Sequence, residues 1–258
     1  MTRSIRAGAS LLAAAIALTA HAQEATSPSA PDNTTPRVKV EARKNVGDLP
    51  YYEHYIKSQG WTYQQLPPRP RVIDFVWRVS FTDLSEPERD AFVPKGWAVA
   101  LVGQSFEQTV PVARGGYFLL PVLPQSLWGA TIMFNAQTRT ARIAVAWVVR
   151  MGEGQRLSYA DFGRALAEVR GVQIAIPLDW EFVEEVRKAN YDALKACFLD
   201  AGGEILIDGK LATTQIVGNC SILKFEPAKF ASKQTIEFKG PLNVVTLVDT
   251  EARRRAGY

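Results

Sequence analysis

Residues 72–82 read Val-Ile-Asp-Phe-Val-Trp-Arg-Val-Ser-Phe-Thr, and this stretch decides the fold. Large apolar side chains occupy every second position: Ile73, Phe75, Trp77, Val79 and Phe81. Successive side chains of a strand point to opposite faces, so one face is apolar and the other is mostly polar. Burying such a side chain fully contributes about 1.5–3 kcal/mol. The stretch therefore predicts a half-buried strand whose apolar face needs a second layer from elsewhere in the chain.

Short apolar runs separated by Gly, Pro and Asn follow this strand. We predict further strands over 97–102, 106–113, 117–120, 130–134 and 141–149. Residues 135–139 are predicted to connect the last two as a hairpin. The run 143–149 is apolar at nearly every position, which is typical of a central strand covered on both faces. This spacing indicates an antiparallel sandwich or an open barrel.

The middle section also carries a recognisable pattern, Val110-Pro111 followed by Gly-Tyr-Phe-Leu-Leu-Pro over 116–121. In these residues it resembles the carboxypeptidase regulatory-like and transthyretin-like sandwiches. The resemblance implies an accessory module rather than a catalytic one.

Helical signals appear in three places. Residues 51–60 follow a proline and stop at Gly60, as a short helix does. Ser158 to Asp161 resembles a capping box, and the helix it starts is predicted to end at Gly171, before a short strand over 172–176. Asp179 is the predicted N-cap of a helix that carries Leu194 and Phe198 and ends before Gly202, with division into two helices at Asn190 as the alternative.

The C-terminal part alternates again. We predict strands around 205–207, 214–216, 222–225, 236–238 and 244–248, with turns at Asp208-Gly209 and Gly218-Asn219. The order is strands, then helices, then strands. It predicts an α+β protein, mostly antiparallel β and sandwich- or open-barrel-like, with two or three segregated helices.

The N-terminal residues 1–22 have the features of a signal peptide: Arg3 and Arg6, an apolar run over 11–18, and Ala20-His21-Ala22 before a cleavage point at Gln23. Residues 23–44 are rich in Pro, Ser and Thr and are predicted to be a disordered leader. We expect a periplasmic or secreted protein with no transmembrane segment in the mature chain. The remainder divides into an N-terminal β-rich domain (45–151), a C-terminal α+β section (152–250) and a tail (251–258).

The chain has two cysteines, Cys197 and Cys220. Export predicts a disulfide between them, for which the chain-entropy model gives about 3–3.5 kcal/mol. The alternative, two reduced metal ligands, lacks the histidines it would need, so no metal site is predicted. The net charge of +4 falls to +2 when Arg3 and Arg6 leave with the signal, and the basic residues are dispersed. Nucleic-acid binding is therefore not expected, and the arginines at 253–255 are interpreted as a solvated tail.

Aromatic residues are concentrated just before the decisive strand. The candidate binding residues are Tyr51, Tyr52, His54, Tyr55, Trp61 and Tyr63. They could form a stacking surface for a sugar or a peptide. The alternative, which we favour, is that they pack a helix onto a sheet while each tyrosine hydroxyl keeps a polar contact.

Catalytic signatures are missing from the sequence. His54 is the one histidine left after signal removal, and neither a Gly-x-Ser-x-Gly elbow nor a phosphate-binding glycine loop is present. We predict no enzyme activity and no cofactor. The leading hypothesis is a non-catalytic binding or accessory module of the bacterial cell envelope that binds an envelope protein or glycan. The alternatives are a small-ligand carrier with a pocket lined by tryptophans (Trp77, Trp97, Trp147 or Trp180) and a hydrolase of unfamiliar type.

Overall fold

The decisive stretch forms strand β1, Ile73–Phe81, in a computed structural model that describes residues 52–135, 140–176 and 183–258. Four of its alternating side chains are buried: Ile73, Phe75, Trp77 and Val79. The prediction of a half-buried strand is confirmed. The predicted signal peptide and leader lie outside the described residues, as does the connection at 136–139.

Thirteen more strands follow within the described residues. They are β2 Val99–Val102, β3 Glu107–Val110, β4 Tyr117–Phe118, β5 Thr131–Phe134, β6 Ala141–Val149, β7 Arg156–Ser158, β8 Ala193–Phe198, β9 Glu204–Ile207, β10 Lys210–Leu211, β11 Gln215–Val217, β12 Cys220–Lys224, β13 Thr235–Lys239 and β14 Leu242–Val248. The helices are α1 Tyr52–Gln65, α2 Glu86–Ala91, α3 Tyr159–Ala175, α4 Val183–Lys188 and α5 Thr250–Arg255. A short 3-10 helix spans Gln125–Leu127.

The strands form three antiparallel sheets. The largest has seven strands in the order β11-β12-β8-β14-β6-β1-β4, and the others are β10-β9-β13-β7 and β3-β2-β5. The predicted α+β class with mostly antiparallel strands is confirmed, with five α-helices in the described residues rather than two or three. The seven-stranded sheet takes strands from both sides of the boundary predicted at residue 152. All described residues belong to one compact unit.

Strand β6 occupies the central position predicted for it. It pairs with β1 along its whole length, from Ile73 opposite Val149 to Phe81 opposite Ala141, and with β14 on its other side. Coverage of both faces is wrong, because Arg142 and Ala144 are exposed. The predicted hairpin to the preceding strand is also wrong. β5 pairs with β2 in the three-stranded sheet, so β5 and β6 belong to different sheets.

Two helices run past the glycines at which they were predicted to end. Helix α1 continues through Gly60 to Gln65. Thr62 extends its buried side, and Leu66, directly after the helix, is buried too. Helix α3 continues through Gly171, so the strand predicted over 172–176 is wrong, and Val172 is buried there. A glycine inside a helix costs about 1 kcal/mol relative to alanine. Burial of the side chains beyond each glycine outweighs that cost.

The long helix predicted from Asp179 to Phe198 is wrong. The described part of this segment holds only the short helix α4, and Leu194 and Phe198 lie in β8 between β12 and β14. All six residues of β8 are buried. A strand covered on both faces has no alternating pattern, and a short apolar run of this kind cannot be told from a helix by periodicity.

The turn predictions are confirmed. Asp208-Gly209 links β9 to β10 with φ values of +49° and +75°, and Gly218-Asn219 links β11 to β12. Positive φ at both positions is the requirement that Asp-Gly meets in a tight hairpin.

The two faces of the seven-stranded sheet have different partners. The apolar face of β1 packs with α1 and α3 into one core, in which Tyr55 meets Trp77 edge to face at 5.1 Å. The carboxylate of Glu168, on α3, accepts hydrogen bonds from the backbone N–H groups of Val72 (3.0 Å) and Ile73 (3.3 Å) and so fixes the start of β1. The opposite face carries Arg78, which contacts α2. The described helices are all too short or too polar to cross a membrane.

Candidate functional site

Helix α1 carries the aromatic residues that the sequence singles out, and the structure uses most of them for packing. Tyr52 is fully buried, and its hydroxyl donates to the Pro121 carbonyl (2.6 Å) and accepts from the Leu123 N–H (2.8 Å). The Tyr63 hydroxyl donates to the Phe75 carbonyl (2.9 Å). Burial raises the pKa of both tyrosines. These contacts match the packing alternative, because the hydroxyls are used within the fold.

The other candidate residues are spread around the helix. Tyr55 and Trp61 are half-buried against the core, whereas His54 is exposed. Tyr51 lies outside the described residues. The described aromatic residues therefore do not share one open surface, and their role in binding stays a prediction.

The tryptophans proposed as pocket walls also lie mainly in the core. Trp77 and Trp147 are buried and flank Phe75 at ring distances of 4.8 and 5.8 Å. Trp97 is half-buried, and Trp180 lies outside the described residues. No tryptophan lines the cavity beside Arg71 and Arg150 or the cavity beside Arg114.

The predicted disulfide is confirmed. Cys197 on β8 and Cys220 on β12 lie directly opposite each other in register, with an S–S distance of 2.12 Å and both residues buried. The bond joins two neighbouring strands of the seven-stranded sheet on the side that faces α2. The Asp90 carboxylate and the two sulfur atoms all lie within 4.8 Å of one another. This set does not fit a metal ion, because the sulfurs are bonded to each other and the Lys195 ammonium lies 2.5 Å from Asp90.

A buried network of charges joins α2 to the sheet. The Lys195 ammonium contacts both Glu86 and Asp90 at 2.5 Å, and its side chain is 4% exposed. Arg78 pairs with Asp90 at 2.8 Å, and Arg253 pairs with Glu86 at 2.6 Å. Three cations therefore share two carboxylates. Buried charges need such partners because an unpaired charge in a low-dielectric interior is costly.

The C-terminal arginines are only partly a solvated tail. Arg253 lies on α5, and its guanidinium donates to both oxygens of Glu86. The solvated-tail interpretation is therefore wrong for Arg253. Arg254 fits it better, since its side chain is 75% exposed, with an ion pair to Glu251. The physical reason for the difference is that one face of α5 packs against the α2 network.

We predict that Glu86 contributes to acid sensitivity. Burial alone would raise its pKa, but hydrogen bonds and charge from Arg253 and Lys195 outweigh burial and lower the pKa from 4.5 to about 2. A depressed native pKa gives stability that is fully present above the unfolded value and is lost as the pH falls through the native value. Urea unfolding of the wild type should therefore weaken between pH 4.5 and about 2. In Glu86→Gln the free energy of unfolding should fall less over the same pH range than in the wild type. An equal fall in both proteins would contradict the assignment to Glu86.

A cavity of about 410 Å³ lies where the start of β1, the end of β6 and the start of α3 meet. Three arginines line it: Arg71, Arg150 and Arg156. We call it the arginine cavity. Ser158, the N-cap of α3, lies in the same wall, and Val72, Met151 and Leu157 add apolar surface.

Two of these arginines are held by one carboxylate. Asp74 accepts from Arg71 at 2.7 Å and, through its other oxygen, from Arg150. Asp74 itself does not line the cavity, so the guanidinium groups are oriented by a carboxylate outside the lining. Two guanidinium groups share this one carboxylate, so together they offer more N–H donors than Asp74 can accept from. Arginine presents its donors as a planar fork that suits carboxylate and phosphate groups.

The remaining charges of the cavity wall have partners or are exposed. Arg156 pairs with Glu237 at 3.1 Å, and Asp161 pairs with Arg164 at 2.7 Å. Glu153 lies exposed in the turn before β7. The arrangement can therefore bind an anionic group at Arg71 and Arg150.

Sequence reasoning missed this cavity. Arg71 and Arg150 are far apart in the chain, and only the antiparallel pairing of β1 with β6 brings them together. The buried network had a weak signal, because Lys195 is a lone charge in the otherwise apolar run Ala-Leu-Lys-Ala-Cys-Phe of β8.

The resemblance over Val110–Pro121 has a limited structural counterpart, since its two halves contribute to β3 and β4 in different sheets. No protein-family model, curated protein or solved structure matches the chain.

Proposed function

We propose that this protein is an exported, non-catalytic binding module of the bacterial cell envelope, and that the arginine cavity binds an anionic group of its partner. The observation that carries the proposal is the pair Arg71 and Arg150, oriented by Asp74 at the wall of a 410 Å³ cavity. Ligand sites have volumes of about 300–1,000 Å³ and a few placed polar groups on apolar walls. The volume of the arginine cavity lies in that range, and Val72, Met151 and Leu157 supply apolar surface beside its charged groups.

Export is supported by two features. Residues 1–22 have the features of a signal peptide, which directs export. A buried disulfide is the kind of crosslink that persists in oxidising compartments. A non-catalytic role is supported by the sequence, which lacks the nucleophile and phosphate-loop motifs and has one histidine after position 22. The partner is an envelope protein or glycan that presents a carboxylate or phosphate.

We predict that a photo-crosslinking residue at Met151 in the cavity wall captures an envelope component in intact cells. Arg150→Gln in the same background should reduce capture about tenfold, because a charge-assisted hydrogen bond contributes about 1.5–3 kcal/mol. Arg254→Gln is the matched control, since Arg254 is exposed on α5. Recovery of free monomer alone, or equal capture by Arg150→Gln and the wild type, would contradict the proposal.

A further inference from the structure

A second cavity of about 380 Å³ lies at the end of β8 and the start of β12, next to α2. Its walls come from α2, from the loop between β3 and β4, and from the turns that follow β8 and β11. Arg114, Leu199 and Pro87 are the lining residues that matter most for its chemistry. It shares no lining residue with the arginine cavity.

Arg114 has no hydrogen bond or ion pair from its guanidinium within the described part of the chain, and its Nε atom is buried. The arginines at 71, 78, 150 and 253 all have a carboxylate partner. Glu88 also lines the cavity, but its carboxylate accepts from the backbone N–H and hydroxyl of Ser85 at 2.7 and 2.6 Å. A guanidinium with a buried, unpaired donor lowers its free energy when it binds an anion.

The rest of the wall is largely apolar. Pro87, Ala91 and Ala201 line it, and the Leu199 side chain is 43% exposed although it is large and hydrophobic. Gly218 closes one side. A Cβ at this position would lie 2.9 Å from the Cβ of Pro87, so the absence of a side chain lets the β11–β12 turn approach α2.

We propose that this second cavity, the Arg114 cavity, binds a small monocarboxylate that carries an apolar group. The guanidinium of Arg114 pairs with the carboxylate, and the apolar group lies against Leu199 and Pro87. One guanidinium among largely apolar walls, with the Glu88 carboxylate already hydrogen-bonded to Ser85, suits a singly charged, amphipathic anion better than phosphate, which carries more charge and more bound water. The site is independent of the arginine cavity and of the function proposed for it.

The test is an NMR titration of the full mature protein with hexanoate and with its neutral analogue hexanamide. Hexanoate should shift the backbone signals of Leu199 and Ala201 and saturate, and hexanamide should bind at least about tenfold more weakly, because it lacks the charge that Arg114 pairs with. Arg114→Gln should weaken hexanoate binding to the same extent, and Arg254→Gln, on the exposed side of α5, should leave it unchanged.

Three results would overturn the proposal: equal binding of hexanoate and hexanamide, unchanged hexanoate binding in Arg114→Gln, or full competition by inorganic phosphate. The comparison of the two ligands uses the wild type alone. It therefore decides the matter even if the Arg114→Gln protein does not fold.

Discussion

Asp90→Asn lowers the free energy of unfolding by about 3–5 kcal/mol, the range measured when one partner of a buried ion pair is removed. The Asp90 side chain is 0% exposed and pairs with both Arg78 and Lys195. Asparagine keeps the size of the side chain and removes its charge. Lys195 and Arg253 then share Glu86 alone. Arg78 loses its carboxylate partner and keeps the hydrogen bond it donates to the Gly115 carbonyl and its contact with the Tyr117 ring.

The control for this variant is Glu226→Gln. Glu226 pairs with Lys229 at 2.6 Å, but both side chains are exposed. Exposed pairs contribute about 0–1 kcal/mol, so this variant should unfold at nearly the wild-type urea concentration. The double variant Lys195→Met/Asp90→Asn should lose less free energy of unfolding than the two single variants added together. The reason is that Lys195→Met removes a cation that has already lost a partner in Asp90→Asn. A loss below about 1 kcal/mol for Asp90→Asn would show that the network does not hold α2 on the sheet.

Removal of the disulfide has an effect of similar size. Replacing Cys197 and Cys220 together by alanine should lower the free energy of unfolding by about 3 kcal/mol, because the bond closes a loop of 23 residues that is unconstrained in the unfolded reduced chain. The two positions face each other on β8 and β12, so alanine fits the same pairing.

Urea denaturation of oxidised wild type, reduced wild type and the double variant measures this contribution. The reduced wild type and the double variant should unfold at similar urea concentrations, both below the oxidised protein. If all three unfolded together, the bond would add nothing to stability, and the β8–β12 pairing would be held by packing alone.

The local residue pattern was sufficient to predict strand β1 of the seven-stranded sheet. Ile73 to Phe81 alternate because one face of β1 lies in the apolar core and the other is only half-buried, and alternation is visible in a single sequence. The hairpin turn at Asp208-Gly209 was predictable for a related reason, since the conformation is set by the two residues themselves. Each of these signals depends only on neighbouring residues, so it can be recognised without knowledge of the fold.

The sequence-based predictions were wrong or incomplete where contacts between distant segments determine the structure. β8 is buried on both faces and lost its alternation, and α1 and α3 pass glycines because buried residues lie beyond them. Neither cavity could be located, because Arg71 and Arg150 meet only through the β1–β6 register, and the Arg114 cavity is built from α2, one loop and two turns. Register and loop placement are properties of the whole fold rather than of any segment.

Anion binding at the arginine cavity is tested most directly by the side-chain Nε–Hε NMR signals of the arginines during a titration with inorganic phosphate. Arg71 and Arg150 should shift together and saturate, and the exposed Arg254 should change only with ionic strength. Shifts of Arg71 and Arg150 no larger than that of Arg254 would contradict the assignment of this cavity as the binding site.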